Sequence, residues 1–126
     1  MSDTNTTLWA QRVEAVEAGY EFMLAYAAQG RERDDPSSEV RQFLVGMHTA
    51  LEDLADVAGQ AAKEADITGV NPFLETLASD AKKAHAAITL VLAQSAVSSQ
   101  LIDNLNASIH VRALLTDLFL IDETLR

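Results

Sequence analysis

Three histidines, His48, His85 and His110, are the side chains in this sequence best suited to metal or proton chemistry, and each falls on a different helical segment. Paired-metal centres inside helical bundles take a Glu-x-x-His motif from each of two helices and a glutamate from each of the other two. Three residues before the histidines stand Val45, Lys82 and Ala107, none of them a carboxylate, which excludes that pattern. His48 and Glu52 are four apart and would present two ligand atoms on one helix face. At that spacing an exposed polar pair is the commoner outcome, and the expectation is no metal and no cofactor.

Other catalytic signatures are missing. The chain has no cysteine, which removes thiolate ligands, disulfides and a cysteine nucleophile. It has no glycine-rich phosphate loop, no Gly-x-Ser-x-Gly elbow and no His-Glu-x-x-His zinc helix. Carboxylates such as Glu14, Glu17 and Glu21, or Glu52, Asp53 and Asp56, follow solvent-face spacing. Acid or base catalysis needs a shielded group with a displaced pKa, so no catalytic residue is assigned and an enzyme is not expected.

Two residues carry sharper alternatives. His85 borders the apolar stripe of Ala81, Ile88 and Leu92 and follows Lys82 and Lys83, which suggests a histidine phosphotransfer-type signalling module with His85 as phosphoacceptor. Against it, the lysine and glycine that usually follow such a histidine are replaced by Ile88 and Thr89. Arg112 sits among Leu105, Ile109, Leu115 and Phe119, where a charge is costly unless it is paired or reaches water along its stem. An inter-helix or inter-subunit ion pair, or an anionic ligand, would explain it. His110 shares a polar stripe with Asp103, Asn106 and Asp117 and reads as a surface histidine.

The elements that position these residues are helical. Apolar residues recur at steps of three and four and never alternate over a strand length. The pattern predicts helices at about 6–29, 36–65, 72–94 and 99–125, forming one domain over 1–126. Gly30 suits a left-handed end to the first helix, and Asp35–Pro36 and Asn71–Pro72 each supply a cap followed by proline at the first helical position. A turn at 94–100, with Ser98 or Ser99 opening the last helix, gives an antiparallel four-helix bundle. Without that turn, three segments would include one long continuous C-terminal helix completed by dimerisation.

The 126 residues are enough for one core, and 48% hydrophobic content argues against disorder. A net charge of -10 repels phosphate backbones and anionic lipid, so neither nucleic acid nor membrane is an expected partner. The opening MSDTNTTLWA has no basic-then-apolar leader, and no stretch of about 18 apolar residues occurs, which points to a cytoplasmic protein. Apolar residue runs almost all the way round the last helix, including Leu118, Phe119, Leu120 and Ile121, while Ala15, Gly19, Phe22 and Tyr26 form a second stripe on the first. These surfaces predict a homo-oligomer, with a dimer favoured. The expected function is a non-enzymatic protein acting through protein–protein interaction with a partner of unknown identity. The alternatives are the His85 phosphotransfer module and a small-molecule or metal binder between the helices.

Overall fold

A computed structural model describes residues 4–35 and 37–125. Among them the chain forms only helices: α1 (Thr4–Ala27), α2 (Glu39–Leu51), α3 (Leu54–Glu64), α4 (Val70–Leu92), α5 (Ser99–Ala107) and α6 (Ile109–Thr124). No helix of the described residues is long and apolar enough to cross a membrane. α1 packs on α2, α3 and α5, while α4 packs on α2, α3, α5 and α6. Between them lies a shared core of Val16, Met23, Leu44, Leu54, Leu77, Ile88, Ile102 and Leu114, all buried.

Two predicted helices are each interrupted. The segment expected at 36–65 breaks at Glu52 and Asp53, where Arg12 of α1 grips both carboxylate oxygens of Asp53 at 2.9 and 3.0 Å. The segment expected at 99–125 breaks at Ser108, whose backbone is extended (φ -63, ψ 144) and whose hydroxyl accepts the amide of Val111. A serine side chain that bonds the next turn competes with helix continuation, with no glycine or proline required.

Helix starts also differ from expectation. Pro36 lies outside the described residues; α2 opens under Ser38, whose hydroxyl accepts the Arg41 amide, and Asp35 is not its cap. α4 starts at Val70 under left-handed Gly69 (φ 77), which places Asn71 inside the helix instead of at its cap. Gly30 does take the left-handed conformation after α1, with φ 66.

The turn between α4 and α5 is present, with Ser98 capping α5, and a continuous C-terminal helix is ruled out. A polar clasp holds the turn. Asp34 accepts from Arg41 Nε and from the Val97 amide, each at 2.8 Å. The Arg41 terminal nitrogens donate to the carbonyls of Leu92 and Gln94, which the end of α4 leaves without helical partners. Tyr26 donates its hydroxyl to the Val97 carbonyl, and Ser99 donates to the Tyr26 carbonyl while accepting from the Arg31 amide. Burial alone would raise the Asp34 carboxyl, but hydrogen bonds from Ser38, Arg41 and Val97 hold it well below the usual carboxylate range.

α2 and α3 run against α4 in the opposite sense, so that His48 meets Thr89 and Glu52 meets His85 one turn along. The alanine-rich α3 allows a close approach: Ala58 and Ala61 are buried, and a methyl on Gly59 would lie 3.3 Å from Leu74 Cδ1. This register brings the chemically capable side chains together.

Candidate metal centre

His48 sits on the last turn of α2, Glu52 in the interrupted turn that follows, and His85 midway along α4. The spacing of four puts the first two on one face, and the antiparallel α4 brings the second imidazole over the first. The rings stack with centroids 3.6 Å apart and planes inclined by 25°. One ligand atom from each residue lies within 4.8 Å of the other two.

The hydrogen bonds fix which atoms carry protons. Thr89 donates its hydroxyl proton to the His85 carbonyl at 2.9 Å. A hydroxyl has one proton, so at its 2.7 Å contact with His48 Nε2 the Thr89 oxygen accepts. His48 therefore carries its proton on Nε2, leaving the Nδ1 lone pair 4.0 Å from Glu52 Oε2. His85 Nε2 lies 3.5 Å from the same oxygen, is buried, and has no hydrogen-bond partner. Burial pushes the His48 pKa down, proximity to His85 pushes the same way, and Glu52 opposes both. The neutral, ligating form of His48 is thereby favoured near pH 7.

Two imidazole nitrogens and a carboxylate oxygen make a three-ligand set for zinc or a similar first-row ion, with a fourth position left for water or substrate. Donor atoms around tetrahedral zinc stand about 3.3–3.5 Å from one another. The separations from Glu52 are 3.5 and 4.0 Å, and all three ligand atoms lie within 4.8 Å of one another, so the set must contract to hold an ion. The two rings must also turn out of their stack about Cβ–Cγ for both lone pairs to face one ion. In the present orientation the Thr89 hydroxyl accepts from His48 Nε2 and so fixes the tautomer that leaves Nδ1 free.

Beside the cluster a groove of about 380 Å³ runs between α3 and α4, with Glu52 and His85 in its wall together with Leu51, Asp53, Ala55, Asp56, Ala78, Ala81 and Lys82. Asp53 is engaged by Arg12. Among the described residues neither Asp56 nor Lys82 belongs to an ion pair.

The other expected site residues are distributed more widely. His110 is exposed. Arg112 is exposed too, with no carboxylate at ion-pair distance among the described residues, because its supposed apolar stripe faces outward at Ile109 and Phe119. Within this chain, Gly19 lies against Met47, Tyr26 is in the core, Phe22 stacks on Phe43, and Ala15 is partly buried. Leu118 and Ile121 are core residues, whereas Phe119 and Leu120 are 47% and 55% exposed. As a phosphoacceptor His85 is poorly placed, since its buried nitrogen faces a carboxylate that would repel phosphate.

Sequence reasoning missed two features. It set His48 and Glu52 aside as a polar pair without connecting them to His85. It also placed Asp117 on a solvent stripe, whereas Asp117 is buried with one unpartnered oxygen, its carboxyl pushed up to about 7 by burial and by neighbouring Asp80. Comparison with known proteins returns no match: no protein family, no curated protein and no solved structure is similar to this chain.

Proposed function

We propose that this chain is a metal-binding helical protein that holds one zinc-like divalent ion through His48 Nδ1, the Glu52 carboxylate and His85 Nε2. In this reading the helices form an antiparallel four-helix bundle, with α2 and α3 as one broken helix and α5 and α6 as another. The observation that carries it is the buried His85 nitrogen, which makes no hydrogen bond and stands with the His48 lone pair beside one carboxylate oxygen. A buried nitrogen without a hydrogen bond costs about 1–3 kcal/mol, and a bound cation would offset that cost. Nitrogen donors favour a first-row transition ion over magnesium or calcium, which prefer oxygen ligands.

Native mass spectrometry with calorimetry tests the reading. One zinc per chain is expected at pH 7.5, with binding lost in His48→Ala and in His85→Ala, and weakened as pH falls because protons compete for the same nitrogens. Undiminished binding in the double variant, or no binding by the parent chain, rejects it.

A homodimer acting through protein–protein contact is a second reading, supported by exposed Phe119 and Leu120 on α6. Leu120 also borders an apolar groove with Ile67, Val70, Phe73 and Ile121. Phe119→Asp or Leu120→Asp should convert a dimer to monomers; a folded, unchanged dimer rejects this interface.

A further inference from the structure

We infer that the groove between α3 and α4 binds a small carboxylate with a short apolar body, its carboxylate filling the open coordination position beside Lys82. This inference rests on the metal reading and names the ligand class of the same centre. Glu52 and His85 are both metal donors and parts of the groove wall, whereas His48 is not in that wall and is tied on its other side to Thr89. The uncovered side of a bound ion therefore opens toward the groove. Three protein donors on a four-coordinate ion leave that side for an exogenous ligand.

The rest of the wall defines what fits. Lys82 precedes His85 by three residues, one helical turn, and lines the same groove with no ion pair among the described residues. It is the one lysine or arginine in that wall, and Arg12 already neutralises Asp53. Cation and ammonium together favour an anion there, despite the acidic character of the whole chain. The side chains of Leu51, Ala55, Ala78 and Ala81, which line the same groove, are hydrocarbon, which suits a compact apolar body behind a charged head. Asp56, an exposed carboxylate in the same wall, disfavours a second negative charge on the ligand, which selects a monocarboxylate over a di- or tricarboxylate.

Cobalt(II)-loaded full-length protein, titrated with benzoate and followed by visible absorption, tests the inference. A cobalt band that shifts saturably with benzoate is expected. Lys82→Ala should keep the band and weaken benzoate about two- to fivefold, the size of an exposed ion pair. Ala78→Phe, which fills the groove, should keep the band and abolish the benzoate response. A cobalt band indifferent to benzoate, or a response unchanged in both variants, overturns the carboxylate site and leaves the metal centre standing. No cobalt band in the parent protein overturns both.

Discussion

The clasp around Asp34 and the cluster around His85 both draw polar side chains into partly buried ground between helices, yet they treat those groups in opposite ways. In the clasp, Asp34 receives Arg41 and the Val97 amide, and Arg41 covers the carbonyls left over at the end of α4. In the cluster, His85 Nε2 makes no hydrogen bond and stands 3.5 Å from the Glu52 carboxylate, its ion-pair partner when protonated. A satisfied network fixes a fold. A network with an unsatisfied nitrogen gives up that stabilisation, and a metal ion bound as proposed above is what would recover it.

The contrast can be broken by mutation, most forcefully at the clasp. Asp34→Ala should cost about 3 kcal/mol in urea unfolding, because it leaves Arg41 Nε and the Val97 amide without their acceptor and removes the charge partner of Arg41. The Asp34 carboxyl is depressed in the folded state, so its stabilisation is present above about pH 4 and fades as pH falls below it. A loss under about 1 kcal/mol would show that the clasp decorates the turn and does not hold it.

Metal should supply the next largest effect. Zinc at a hundredfold excess over its dissociation constant should add about 2.7 kcal/mol to the parent chain and nothing to His85→Ala. Equal stabilisation of both would place the ion elsewhere. Without metal, His85→Ala should change stability by less than about 1 kcal/mol, since it removes an unsatisfied nitrogen along with some packing.

Asp117 provides a third arrangement, a buried acid kept neutral by its surroundings. Its folded pKa of about 7 lies above the unfolded value near 4. Between those values the unfolded chain has released a proton that the folded chain retains, so stability falls as pH rises across the window and levels off above it. Asp117→Asn should therefore stabilise by about 1–3 kcal/mol at pH 8, with the gain vanishing near pH 4. A gain independent of pH would remove proton uptake from the explanation. Smaller still, Gly19→Ala should destabilise by about 1 kcal/mol, because improved helix propensity only partly offsets a Cβ 2.8 and 3.0 Å from the Sδ and Cγ of fully buried Met47.

The helical character was legible from apolar spacing alone, and Ser98 supplied a local cap signal for the turn before α5, but the bonds from Asp34, Arg41 and Tyr26 that hold that turn come from 51 or more residues away and were not legible. The break at Glu52–Asp53 was not, since Arg12, the residue that grips it, stands 41 positions away. Ser108 carried a local signal, a serine able to cap the turn that follows it, but the surrounding run of leucine and isoleucine masked it. His48 and Glu52 could be paired by counting four residues, while adding His85 required the register of α4 against α2. Asp117 was misplaced because the break at Ser108 resets the helical phase on which its assignment to a polar stripe depended.

Interrupting the helix at Glu52 also divides this wall of the molecule into two units for hydrogen exchange. α2 anchors itself with Val40, Leu44, Met47 and Leu51, whereas α3 buries several alanines beside Leu54 and Val57 and so has less apolar area to lose on opening. Amide protection should accordingly be lower along α3 than along α2, with the two exchanging as separate cooperative segments. Opening α3 alone would remove one side of the groove and leave His48 in place, giving the small carboxylate inferred above an entry route that does not require global unfolding.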